Sequence, residues 1–488
     1  MNETGDRQAA IRLAEKAFDS GEFLHDLERR VAYRTESQDP ERAPTLLSYL
    51  SEEIAPALQR LGFETRCVRN PSDVEAPMLL ASRWESDSVP TVVTYAHGDV
   101  VRGYDAQWRV GLEPWRITIE GDRWYGRGIA DNKGQHSINL AALAAVIEAR
   151  NGKLGYNVKM IFETGEEIDS PGLDALCATE REFLAGDLFI ASDGPRVSAE
   201  RPTVFLGSRG ELNFELTVAL REGGHHSGNW GGILRNPATV LASAISSIVD
   251  NNGRLLVEAL LPPPIPAAVR DAIADIRIGE DSNAPYIDPA WGEPNLTVAE
   301  RVLAWNTIEV LAFTAGNPEA PVGAIPPVAK AFCQMRFVVG TDWEDAGQHL
   351  TRHLEQCGIE DVQVTVTSVS KATRLDVTHP WVSWALTSIE HTSGKRPALI
   401  PNLGGTVPNA VFAETLGLPT LWIPHSYPAC SQHAPNEHML ASVAREALAV
   451  MAGVWWDLGE GAAASIASAR GSFLPSQRLA TSRLRREA

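Results

Sequence analysis

Cysteine is scarce. Five residues, Cys67, Cys177, Cys333, Cys357 and Cys430, are scattered through 488 positions. The number is odd and no Cys-x-x-Cys spacing occurs. That argues against a disulfide framework and fits free thiols in a reducing compartment. Positive charge is also short, with 43 Lys and Arg against 62 Asp and Glu, a net charge of -19. Such a balance argues against nucleic acid or an anionic membrane as partner. No run approaches the ~18 apolar residues of a membrane span. The polar start, Met1 to Gln8, leads into an amphipathic pattern rather than the apolar core of a signal peptide. The expectation is a cytoplasmic protein. No internal repeat is visible.

The length allows two or three domains, and four short stretches carry the chemistry. Thr91 to Ala96 reads as a strand, with His97-Gly98-Asp99 just past its end. Sites in open α/β sheets form beyond the carboxyl ends of strands. An imidazole there can bind a metal through one nitrogen while a carboxylate holds the other. Alone, the pair also fits an ordinary surface His-Asp contact. Gly126-Arg127-Gly128-Ile129-Ala130-Asp131-Asn132-Lys133-Gly134 turns from an aromatic-rich β-excursion into a helix. Asp131 stands at that junction, where capping would be its simplest role.

Asn157 to Phe162 reads as a buried strand running into Glu163-Thr164-Gly165-Glu166-Glu167. Adjacent glutamates on an extended segment point different ways, so one can hold a metal while the other faces a substrate. A solvated acidic loop is the plain alternative. Asp187 to Ala191 is a further strand, followed by Ser192-Asp193-Gly194-Pro195. Repetition of ligand-type residues at strand ends makes independent coincidence a poor explanation.

The texture changes after residue 206. Strand-like and helical segments from about 207 to 376 lack acidic ligands of this kind at their loops and read as a separate α+β domain. Helices are expected at Ile11 to Phe18, Leu46 to Leu61 and Met439 to Trp456, and Arg336 falls on a strand. The tail from Gly459 is Ala/Ser-rich, with five arginines from Arg470 to Arg486, and is expected to be poorly packed or to lie on a partner.

These ordered motifs resemble the dizinc exopeptidase family, which includes carnosinase-type dipeptidases, glutamate carboxypeptidase, succinyl-diaminopimelate desuccinylase and aminoacylase. The resemblance spans about residues 90 to 440. It implies an α/β catalytic domain with a mixed, mostly parallel sheet flanked by helices, in two parts (1–206 and 377–488), with a lid and dimerisation domain (207–376) inserted between them.

It further implies two divalent ions per chain, zinc with manganese or cobalt as alternatives. One would be held by His97, Asp131 and Asp193, the other by Asp131, Glu167 and His433, with Asp131 shared. Asp99 would orient His97, and Glu166 would be the general base for a water between the ions. His226, in His226-Ser227-Gly228, resembles the histidine that a partner subunit contributes to the oxyanion. Arg336 and Gly404-Gly405-Thr406 resemble the groups that grip the substrate carboxylate.

Two departures stand out. Asn132 replaces a customary aspartate, and an unusual Cys430 precedes the His433 loop. His433 rather than His438 is taken as the ligand, because His438 is expected to start the last helix; His225 leaves an ambiguity beside His226. The expected activity is metal-dependent hydrolysis of an amide or peptide bond in a small substrate with a free carboxylate. A dipeptidase or carboxypeptidase is favoured, an N-acyl-amino-acid deacylase is the alternative, and a non-catalytic scaffold is disfavoured because no ligand is missing. A homodimer is expected.

Overall fold

The computed structural model describes residues 5–279 and 285–468. The arginines expected to mark the tail lie outside these residues; the part of the tail within them is a helix, Gly461–Ser468. The chain divides into two compact units, residues 1–202, 378–397 and 414–488 in the first and 203–377 with 398–413 in the second. The stretch 398–413, expected within the last part of the catalytic domain, thus groups with the second unit.

The first unit has the expected α/β architecture. Its sheet orders six strands as Glu64–Val68, Met78–Arg83, Asn157–Glu163, Thr91–His97, Leu188–Ala191 and Thr420–Trp422. The last four run parallel, and Met78–Arg83 is antiparallel to both its neighbours. Thr91–His97 and Asn157–Glu163 are buried along their whole length, as strands covered on both faces must be. Their parallel register sets His97 opposite Glu163, so the His97 and Glu166 segments leave the sheet at the same edge.

Helices Arg7–Asp19, Lys133–Ala149 and Ala441–Leu458 pack on one another. Lys133–Ala149 is buried nearly all round, so its polar residues must find partners inside. Asn139 donates to Ser192 Oγ at 2.9 Å, and His136 Nε2 meets the Tyr49 hydroxyl at 2.8 Å. The single helix expected from Leu46 to Leu61 is instead three pieces: Ala43–Ser48, a widened π turn at Tyr49–Ile54, and Ala55–Arg60. Pro56 explains the interruption, because it has no N–H and its ring clashes with the carbonyl four residues back. The helix expected at Met439 to Trp456 begins at Ala441, and His438 does not start it.

The second unit holds an antiparallel sheet in the order Thr307–Thr314, Val328–Phe337, Gly210–Ala219, Gln363–Ser370. Strict alternation along Gly210–Ala219 buries Leu212, Phe214, Leu216 and Val218 under helices Pro237–Ile248 and Ala346–Gln356. The same unit contains the parallel pair Thr203–Phe205 and Ala398–Ile400.

Candidate metal centre and active site

Three strand ends and two loops of the first unit converge. His97 is fully buried at the end of its strand, with Nε2 3.0 Å from Asp131 Oδ1 and 3.6 Å from Asp193 Oδ2. On the other side, His433 Nε2 lies 3.0 Å from Asp131 Oδ2 and 3.0 Å from Glu167 Oε2. Asp131 therefore turns one carboxylate oxygen toward each imidazole. It does not cap the helix that follows: the residue at the cap is Asn132, and it makes no capping bond. Instead Asn132 donates to Ser192 O at 2.8 Å and so ties the Asp131 loop to the Asp193 strand end.

The two glutamates do not lie on an extended segment, as expected, but in a 3-10 turn, Glu166–Ile168. Asp99 holds the start of this turn. Asp99 Oδ1 accepts from Glu166 N at 3.2 Å and Oδ2 accepts from Glu167 N at 3.1 Å. Asp99 also faces His97, with its carbonyl 3.2 Å and its Oδ1 3.5 Å from Nδ1. One buried carboxylate thus positions an imidazole and a pair of glutamates. The Glu166 carboxylate has no hydrogen-bond or ion-pair partner among the described residues. A free carboxylate beside ligand-type groups is placed to move a proton.

Several buried acids share this small volume. Burial pushes the Glu166, Glu167 and Asp193 carboxyls up, and their anionic neighbours push the same way. Burial also opposes charge on Asp131, but hydrogen bonds from His433 and His97 hold it far below the usual carboxylate range. The His433 imidazolium is favoured by its hydrogen bonds to Asp131 and Glu167. No lysine or arginine pairs with these acids among the described residues. Ligand atoms of His97, Asp131 and Glu167 all lie within 4.8 Å of one another. An anionic, imidazole-bearing cluster whose acids pair with no lysine or arginine among the described residues fits a divalent cation, and its oxygen and nitrogen donors suit zinc, manganese or cobalt.

Sequence reasoning missed the residue that ties the two ligand loops together. Glu437 is buried, and its carboxylate accepts from Arg127 Nη1 at 2.7 Å and from the backbone N–H groups of Gly128, Ala130 and Asp131 at 3.0, 2.9 and 3.1 Å. The Asp131 loop is thereby wrapped around a side chain from the His433 loop. The fit demands glycine twice. Gly128 has φ +79°, and a Cβ on Gly134 would sit 1.9 Å from the Ile129 carbonyl oxygen. His438, expected to start the last helix, lies in a short strand, His438–Leu440, paired with Arg123–Tyr125. Its Nε2 meets the Tyr427 hydroxyl at 2.6 Å, so it is held away from the acids. Gln432, also unremarked in the sequence, donates to Asp131 Oδ2. Cys430 is a buried free thiol, pushed up to about 12 chiefly by burial.

The remaining expected residues lie in the second unit. Arg336 donates from Nη1 to Thr406 Oγ1 at 2.5 Å. Gly404 accepts from Arg209 Nε at 2.9 Å, and Gly405 has open space around it. His226 is exposed, and its Nδ1 accepts from Gly228 N at 3.1 Å. His225 turns instead toward the Trp230 ring.

Ligand-type acids and imidazoles at the strand ends of an α/β sheet, beside a glutamate unpaired among the described residues, fit the class of metal-dependent hydrolases. The comparisons with known proteins give the family. The model of peptidase family M20/M25/M40 matches residues 93–457, and the chain belongs to that family. It is 25% identical over 409 residues to the cysteinylglycine-S-conjugate dipeptidase of Corynebacterium striatum, covering 80% of this chain and 85% of the relative. It is 26% identical over 443 residues to the Beta-Ala-His dipeptidase of Homo sapiens, covering 85% and 86%. Its fold matches the di-peptidase Dug1p of Saccharomyces cerevisiae with a TM-score of 0.77 at 19% identity, over 94% of this chain and 99% of that one. The chain is a metallopeptidase that hydrolyses an amide or peptide bond in a small substrate. No helix among the described residues is long and apolar enough to cross a membrane.

Proposed function

We propose that this protein is a dinuclear dipeptidase acting on dipeptides with a free carboxylate. The observation that carries the reading is the division of Asp131, one oxygen toward His97 and the other toward His433. Two ligand sets follow from it: His97, Asp131 and Asp193 for one ion, and Asp131, Glu167 and His433 for the other. Bound divalent cations, zinc by first choice, would polarise the scissile carbonyl and make water acidic near neutral pH.

Glu166 takes the proton of the attacking water and delivers it to the leaving amine nitrogen, so the acid and base steps use one carboxylate. Asp99 holds both His97 and the Glu166 turn in register for that transfer. Arg336 and Thr406, with the backbone at Gly404 and Gly405, take the substrate carboxylate; a guanidinium suits that group because its donors form a planar fork. His226 is the oxyanion donor. Because its Nδ1 accepts a hydrogen bond, the neutral ring carries its proton on Nε2, which is the donor that role needs. In a homodimer assembled through the second unit this donor would serve the partner's site. The compartment we assign is the cytoplasm, on the free thiols.

Dipeptidases among the relatives support peptides over N-acyl amino acids as substrates. A panel of dipeptides and N-acyl amino acids, assayed after reconstitution with zinc, manganese or cobalt, tests the choice. Dipeptides should lead by at least the ~10-fold of a correctly filled pocket. Faster turnover of N-acyl amino acids would replace the dipeptidase reading with the deacylase one.

A further inference from the structure

Arg336 belongs to a closed ring of polar side chains. On the antiparallel pair Gly210–Ala219 and Val328–Phe337, Glu211 stands opposite Arg336 and Asn213 opposite Gln334. All four lie on the face away from the Leu212, Phe214 and Met335 core. Arg336 Nε donates to Gln334 Oε1 at 3.1 Å, and Gln334 Nε2 donates to Asn213 Oδ1 at 3.0 Å. Asn213 Nδ2 donates to Glu211 Oε1 at 2.8 Å, and Glu211 Oε2 pairs with Arg336 Nη2 at 2.6 Å. The ring returns to its start. It also fixes both amides, since turning either one over would set donor against donor or acceptor against acceptor. The other anchors are Ser368 Oγ, 3.0 Å from Asn213 Nδ2, and the Thr406 hydroxyl on Arg336 Nη1.

Charge gives the ring a second consequence. Arg209 is buried close to Arg336; burial and that neighbouring charge hold its guanidinium down to about 10. Glu309, opposite Gln334 on the next strand, offsets Arg209. The cluster therefore contains two cationic groups, Arg209 and Arg336, and two carboxylates, Glu211 and Glu309. A substrate carboxylate reaching Arg336 uses the guanidinium's remaining N–H groups. A second substrate carboxylate would find no unbalanced positive charge and would face Glu211.

We infer that Glu211 is a specificity-determining residue, which positions Arg336 and selects dipeptides whose C-terminal side chain is uncharged over those ending in Asp or Glu. The inference rests on the reading that Arg336 takes the substrate carboxylate. The probes are two dipeptides that differ only in a C-terminal Gln or Glu. In Glu211→Gln the ratio of kcat/KM for the Glu-ending to the Gln-ending dipeptide should rise about tenfold, the scale of one partly screened charge pair.

Asn213→Ala opens the ring without changing its charge. It should weaken both dipeptides alike through KM and leave that ratio within about twofold. A ratio unmoved in Glu211→Gln, or moved equally in Asn213→Ala, would overturn the inference. The underlying reading is tested separately with Arg336→Ala on dipeptides against their C-terminal amides. Selective loss of the free carboxylate substrate keeps that reading even where the Glu211 result fails, whereas equal loss of both removes the reading and the inference together.

Discussion

The two halves of the proposed metal centre are built differently. His97 is fully buried at the end of a strand whose every residue is buried, and Asp193 follows another strand of the same sheet. His433 has a side chain 53% exposed and sits in a loop where Ser431, His433 and Asn436 all have positive φ. Left-handed backbone at such residues costs on the order of 1 kcal/mol each, so that loop must be held by something outside itself. Glu437 and the His438–Leu440 strand supply the hold, by fastening the His433 loop to the Asp131 loop. His97 and Asp193 are thus positioned by the sheet, whereas His433 is positioned by a carboxylate that clasps its loop to that of the shared Asp131. The sheet-borne pair needs only the fold; the His433 loop adds a junction that a single substitution can loosen.

The largest effect should come from the turn that serves both halves. Glu166→Ala should retain metal and lose turnover by ~10²–10⁴-fold, the usual loss on removing a general base. Glu167→Ala should instead lose metal from the His433 half. Metal content and kcat measured on both variants separate the roles, and the reverse pattern would interchange them.

A smaller effect isolates the clasp. Glu437→Gln keeps the side chain's shape but sets an amide against backbone N–H donors. It should lower affinity for one ion by about 10–100-fold, as loss of a supporting hydrogen-bond partner does at metal sites. Stability should fall by about 1–3 kcal/mol, because buried donors lose their acceptor. Competition with a chelator would show two separated affinities where the parent protein shows them closer. Equal weakening of both ions would mean that the clasp serves the whole centre, and the contrast between the halves would fall.

The smallest effect should come from Gln432→Ala. Gln432 adds one donor to Asp131 Oδ2, on the His433 side. It is replaceable by water at a half-exposed loop, so a change of only about threefold in metal affinity is expected. A loss as large as that of Glu437→Gln would make Gln432 a principal support of the bridge.

Much of this cluster was legible in the sequence because most of its acids and one of its imidazoles stand beside a local signal. His97, Glu166, Glu167 and Asp193 follow apolar strand patterns, and Asp131 follows glycines that only a sharp turn needs. The supporting contacts had no such signal. Glu437 contacts Ala130, 307 positions away, and nothing in Asn436-Glu437 names that partner. Asp99 was read for its contact with His97, while its hold on the glutamate turn appears only once the two strands lie side by side. The π turn at Tyr49–Ile54 was hidden for another reason: helical periodicity ran through Pro56 unbroken. In the second unit the alternating strands were readable, but the Arg336 ring depends on the register between two strands more than a hundred residues apart.

The most direct test of the account is a metal titration of chelator-treated protein, with dipeptide hydrolysis followed at each addition. The account predicts an inactive metal-free protein that regains full activity as two ions per chain bind. Full activity with no metal, or activity that saturates at one ion per chain, would contradict the shared role of Asp131.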